Sequence, residues 1–195
     1  MSTYSITGNS ADGNVSSNNG TYSVARSGGG TLTLNPSGTS LITVGQWESG
    51  GTKSCNEGFI EFDLSTFWAT NPGAVISAAA LTLNANVVGG GASGKSYQAR
   101  LYDWGATVTT ADFLAGASLS GQTLLAHYTS NGTTGNKTWT DDAMASSAQA
   151  SSGFLRMILF GADQMNNVAP SAGTDEYISW SSADSAGNLP SSLKA

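Results

Sequence analysis

The chain has 195 residues, a formal net charge of -6, 10% charged residues and 39% hydrophobic ones. That length suits one β domain of ordinary size, and 25 glycines among abundant Ser, Thr and Asn suit short strands joined by many turns. The 7 Lys and Arg are scattered, which excludes the clustered basic face a nucleic-acid backbone requires, and the single cysteine, Cys55, excludes an internal disulfide. No stretch approaches the roughly 18 apolar residues of a membrane-spanning helix. The 9% aromatic residues fall in periodic apolar runs, which argues against disorder.

In chain order, residues 1–11 read as an N-terminal arm and 12–195 as one domain. Asp12-Gly13-Asn14 and Asn18-Asn19-Gly20 are turn signals. Gly20–Ala25 predicts a short strand with Tyr22 and Val24 on one face. Thr31–Leu34 alternates cleanly, Pro36-Ser37-Gly38 turns the chain, and Ser40–Trp47 is the next strand. Gly28-Gly29-Gly30 lacks the Lys-Ser/Thr ending and the following helix of a phosphate-cradling loop. Gly58–Ser65 is the densest mix of bulky apolar and acidic residues. Ile60, Phe62 and Leu64 share one parity while Phe59, Glu61 and Asp63 share the other, so one face meets a core and Phe59 predicts partial cover on the second.

Ser65–Ala69 predicts a single helical turn, and Pro72-Gly73 a turn before the strand Ile76–Ala85. Gly89–Gly94 is a flexible connection to the strand Tyr97–Trp104. Thr110–Gly116 predicts a short helix capped by Thr110 and stopped by Gly116. Gln122–Tyr128 returns to strand and carries His127, the only histidine. Thr140–Ala150 predicts a helix capped by Thr140 or Asp141 and ended near Gly153. Phe154–Phe160 is a strand apolar on both faces, and Glu176–Ser182 is the last long strand. This pattern predicts an all-β, antiparallel, jelly-roll-like β-sandwich with one or two short helices.

Few side chains point to chemistry. Glu61 and Asp63 lie two apart on one strand face, about 6.5–7 Å, a spacing compatible with paired-carboxylate glycoside hydrolysis; binding to turns is the plainer use. A serine triad has only His127 as base and no Gly-x-Ser-x-Gly elbow. Zinc needs several His or Cys ligands, and the chain has one of each. Calcium needs only oxygens, which Asp12, Asn14, Asp103, Asp163 and Asp175 offer without an EF-hand spacing. No catalytic, cofactor or metal residue is assigned. Trp47, Trp68, Trp104, Trp139 and Trp180 offer stacking platforms, although tryptophan in a sandwich is more often core. Trp47, Trp104 and Trp139, with Tyr102, are the candidate glycan or partner contacts.

Phe59–Ser65, Ile76–Leu83, Arg100–Trp104 and Glu176–Asp184 with Leu189–Leu193, in this order, resemble the β-sandwich family called the DNRLRE domain, which is related to carbohydrate-binding modules. The likeness spans about residues 12–193. The chain departs from the family by stopping at Leu193-Lys194-Ala195, without an apolar final strand, so that strand is expected to be short or supplied by a neighbour. The resemblance implies a jelly roll used in adhesion or in cell-surface or virion display, and it carries no catalytic residues. Asp103-Trp104-Gly105 and Thr109–Asp112 look like segments of stand-alone tailed-phage chains. Met1–Gly8 does not read as a signal peptide. A display-type surface without an export signal is expected of a virion protein made in host cytoplasm and released by lysis; a trimmed or otherwise exported chain fits too. The leading expectation is a non-enzymatic head decoration protein, a homotrimer on the major capsid protein or another virion protein, with residues 1–11 against the shell. The alternative is a module that binds a cell-surface polysaccharide or receptor; a hydrolase using Glu61 and Asp63 comes third.

Overall fold

The computed structural model describes residues 4–8, 11–36, 41–151, 153–182 and 192–194. The first strands are β1 (Ser5–Thr7), β2 (Gly13–Asn19), β3 (Thr31–Asn35), β4 (Leu41–Ser49) and β5 (Thr52–Asp63). They are followed by β6 (Ala80–Val88), β7 (Ser96–Leu101), β8 (Leu124–Thr129), β9 (Gly135–Thr138) and β10 (Thr140–Asp141). β11 (Phe154–Gly161), β12 (Asp175–Ser181) and β13 (Ser192–Lys194) complete the set. Helices are short: α1 (Tyr22–Arg26), α2 (Ser65–Thr70), α3 (Gly116–Leu119), α4 (Met144–Ala150) and α5 (Ala162–Met165).

Every described pairing is antiparallel, in the order β1-β13-β6-β12-β4-β5-β11-β7-β8-β10. β5 holds this together. Its first half pairs with β4, its second half with β11, and Lys53–Phe59 with β2. The far ends of the sheet are joined by one polar segment: β9 pairs with β6, and two residues later β10 pairs with β8. Between them the Trp139 N–H donates to Leu81 O (2.9 Å), and its ring lies 5.5 Å from Trp180 and 5.9 Å from Tyr128. The sandwich is thereby closed almost to a barrel.

Alternation on β5 and β11 feeds two cores. Ile60, Phe62, Leu155, Met157 and Leu159 enter the first, between the sheets, beside Ile42, Leu83 and Trp180. Cys55, Phe59, Ile158 and Phe160 point the other way, into a second core roofed by Val15, Tyr22, Trp104, Phe113 and Leu119. The cover expected over Phe59 is therefore complete. Full burial of each such side chain is worth about 1.5–3 kcal/mol, so both cores contribute. Gly45, with φ +112°, marks where β4 changes face: Val44 enters the first core, while Gln46 stands opposite Cys55. A Cβ there would lie 2.4 Å from Glu176 O.

Several local expectations need correction. Residues 22–26 are helical, because the buried pair Tyr22 and Ala25 is three apart, a helical spacing rather than a strand one. β2 runs through residues read as turns; its Val15 and Ser17 are fully buried against β5. The 110–116 helix is only a 3₁₀ turn, Thr110–Asp112, capped from Thr109 in a capping box, and Gly116 opens α3 instead of ending a helix. Thr140 and Asp141 are strand, and the helix starts at Met144, whose N–H donates to Asp141 Oδ1 (2.8 Å). Among the described residues, five short helices replace the expected one or two. The final strand is short, as expected, and pairs with β1 and β6. β1 itself belongs to the sheet, with Ile6 in the first core, although it falls within the expected arm.

Gly58 is the tightest point of the β4–β5 contact. An added Cβ would sit 2.6 Å from Ile42 Cγ2 and 2.8 Å from Val44 Cγ2. Gly58→Ala is expected to cost about 1–3 kcal/mol by overpacking, and adding Val44→Ala should restore less than the sum of the two separate losses predicts. Urea unfolding of the two single variants and the double variant measures this coupling.

Candidate functional site

The two acids of β5 do not converge. Glu61 is buried and takes the Arg156 Nε–H from the neighbouring strand β11. Arg156 Nη1 also donates to Asp103 Oδ1 (2.7 Å), and its guanidinium lies 4.9 Å from the Phe154 ring centre. Asp63 points to the strand end, where its Oδ1 accepts the Ser65 N–H (2.8 Å) at the start of α2. Hydrogen bonds from Ser65 hold the Asp63 carboxyl below its usual range; those from Gly105 and Arg156 do the same to Asp103. Glu61 thus fixes Arg156 and Asp63 fixes a helix start, so the β5 carboxylates serve the frame.

A third acid on the same strand was not singled out by the sequence. Glu57 has the parity of Cys55 and Phe59, which places it in the second core, fully buried. The Leu114 N–H donates to its Oε2 (2.8 Å), and Gln164 Nε2 to its Oε1 (2.6 Å). Burial holds this carboxyl well above its usual range, against the opposing pull of those two donors. Gln164 Oε1 has no hydrogen-bond partner. Turning the amide over would offer that oxygen to a protonated Glu57, an exchange that side-chain amides permit. Arg26, at the end of α1, reaches across to donate to Met165 O (2.8 Å) and Gln164 O, passing bare Gly116 on the way. The thiol of Cys55 beside them is pushed up to about 12 by burial and by Glu57, so it is not a thiolate at neutral pH.

A polar chain leads from this core to one end of the barrel. The Tyr22 hydroxyl donates to Gln46 Oε1 (2.8 Å), and Gln46 Nε2 donates to Glu176 Oε2 (2.8 Å) and to Val168 O (3.0 Å). Lys95 Nζ lies 3.0 Å from Glu176 Oε1 and 2.7 Å from Asp163 Oδ2. Burial pushes the Lys95 ammonium down, the two carboxylates push it up, and the net shift is upward. Gln46, Lys95, Asp163 and Glu176, with Ser96, Tyr97 and Gly161, line a small cavity of about 10 Å³. Nearby, Glu48 accepts the Gly51 N–H (2.9 Å) and the Gly173 N–H, tying the β4–β5 turn to the turn before β12.

Of the expected aromatic contacts, Trp139 (2% exposed) and Trp104 (6%) lie in the first and second cores. Trp47 and Tyr102 are half-buried. Trp68 on α2 lines an open groove of about 320 Å³ shared with Gly73, Ala74, Gln149, Ala150 and Ser151. Gln149 Oε1 accepts the Ile76 N–H (2.6 Å), which fixes the wall opposite. His127 pairs with Asp142 (2.7 Å) on the exposed face of β8, far in the fold's pairing from Cys55. Four of the five candidate calcium residues are engaged separately, Asp12 with the Glu61 N–H, Asn14 with Thr43 and Asn35, Asp103 with Arg156 and Asp163 with Lys95, and the fifth, Asp175, is exposed at the start of β12. Among the described residues no three His, Cys, Asp or Glu gather around one point, and no helix is long and apolar enough to cross a membrane.

Glu57 has a raised carboxyl in the fold, so the stability of its neutral form is complete below the ordinary carboxylate range and is lost as pH rises from there. Glu57→Gln keeps one acceptor oxygen for the Leu114 N–H and puts an amide donor in place of the other, toward Gln164 Oε1 once that side chain is turned over. It should remove the fall in stability with rising pH, up to about 1.4 kcal/mol per pH unit, that begins at the ordinary carboxylate range, as read by urea unfolding across a pH series upward from there. No protein-family model matches the chain, and no curated protein matches it at a significant level; the DNRLRE likeness rests on the motifs themselves.

Proposed function

We propose that this chain is a non-enzymatic display module, a head decoration or cement protein that docks as a homotrimer on the major capsid protein of a phage particle. The use made of its acids carries this reading. Glu48, Glu57 and Glu61 hold backbone amides, Gln164 and Arg156, so the buried carboxylates stabilise turns and strand contacts. Outside, β6 and β9 offer a low-charge face of paired hydroxyls and amides, with Thr82 against Thr138 (3.5 Å) and Asn84 against Asn136 (2.7 Å). Such a face suits a broad contact of hydrogen bonds and bridging water. Gradient-purified particles from a producing host are expected to contain the chain in a fixed ratio to the capsid protein, as read by quantitative mass spectrometry. Finding it in host cytosol and never in particles would overturn the assignment.

The Trp68 groove favours a second reading, a carbohydrate-binding module. A half-buried indole face with Gln149 and Ser151 beside it combines a stacking surface with polar groups that orient a sugar ring. In that case Trp68→Ala should weaken binding to a cell-surface polysaccharide at least tenfold by calorimetry, while Trp47→Ala leaves it unchanged. Absence of binding by the native chain at millimolar ligand removes this reading.

A further inference from the structure

Lys95 is held in a way that an ordinary surface ion pair does not need. Its ammonium sits between two carboxylates, 2.7 Å from Asp163 Oδ2 and 3.0 Å from Glu176 Oε1. Its backbone is fixed on both sides, by the Lys95 N–H to Ala92 O and by the Ser130 N–H to Lys95 O. Glu176 is only 7% exposed, with its second oxygen taken by Gln46 Nε2 at 2.8 Å. The three side chains come from the start of β7, from α5 just after β11 and from the start of β12, and they meet beside the buried Tyr97 ring. The Lys95 nitrogen lies 2.7 Å from an oxygen bonded to Asp163 Cγ, the carbon it would attack.

We propose that Lys95 and Asp163 condense into an intramolecular amide bond, with Glu176 carrying the proton between them. Glu176 Oε1 takes a proton from the Lys95 ammonium and frees its lone pair. The nitrogen attacks Asp163 Cγ, and an N–C bond forms. Glu176 returns its proton to the departing Asp163 oxygen, which leaves with a second proton from nitrogen as water. The ammonium and carboxylate become a neutral amide and one water molecule, with no oxidant, reductant or activating nucleotide. The cavity of about 10 Å³ is near the size of one water, enough for the departing molecule. Condensation is unfavourable between free groups in water, but fixed neighbours reach effective molarities of about 10⁵–10⁸ M.

The test is the intact mass of the purified, folded chain. The native protein is expected to be lighter than its sequence by one water, and a tryptic digest should yield one branched peptide joining the segments of Lys95 and Asp163. Lys95→Arg keeps a cation between the carboxylates but not the nucleophile, and Glu176→Gln keeps the size of the proton carrier but not its proton. Both variants should fold, by circular dichroism, and show their full sequence masses. A native chain that keeps its full mass after prolonged incubation in the folded state overturns the proposal. So does a water loss mapped elsewhere, such as Asp12-Gly13, or one that persists in folded Glu176→Gln.

Discussion

Burial of β5 and β11 on both faces is the constraint on which the remaining architecture depends. A sandwich needs only one apolar face per strand, and the second is ordinarily left to water. Here Phe59, Ile158 and Phe160 make the outer face apolar as well. Something must cover it, and the cover is made from the parts with least regular structure: β2, α1 and the 102–120 connection. Ser- and Asn-rich segments that would not form strands by themselves are ordered by what lies beneath them. Val15 is the example, one apolar side chain anchoring a polar strand along β5.

The same double burial explains where the polar groups go. A strand covered on both sides cannot send a carboxylate to water, so each acid on β5 needs a partner within the protein. Glu61 finds Arg156, and Glu57 finds an amide and a glutamine. Arg26 satisfies carbonyls at α5 from a different layer, which docks the cover onto the barrel. The polar chain Tyr22–Gln46–Glu176–Lys95–Asp163 performs the same service along the barrel end, linking α1, β4, β12, β7 and α5.

The readable parts of the sequence were those whose burial follows one simple period. β5, β6, β11 and β12 stand out because bulky side chains alternate or run without a break, and their pairing follows. β2 and β9 escaped because their order comes from neighbours; Gly135–Thr138 carries no apolar side chain at all, and only Trp139 beyond it marks the seam. α1 departs from the expected strand because Tyr22 and Val24 suggest a period of two, whereas the buried pair is Tyr22 and Ala25. The parity of Glu57 with Cys55 and Phe59 would have located it. Nothing in the spacing joins Lys95 to Asp163, 68 positions away, since that meeting depends on the register of β7 against β11. Trp68 looked no different from four other tryptophans until its helix was placed beside α4.

The pairing of β1 with β13 has a consequence for attachment. Ser5 stands opposite Lys194, so the two ends of the described chain leave from one corner of the barrel. Any polypeptide joined at either end would therefore emerge beside β6, next to the hydroxyl-rich face that Thr82 shares with β9.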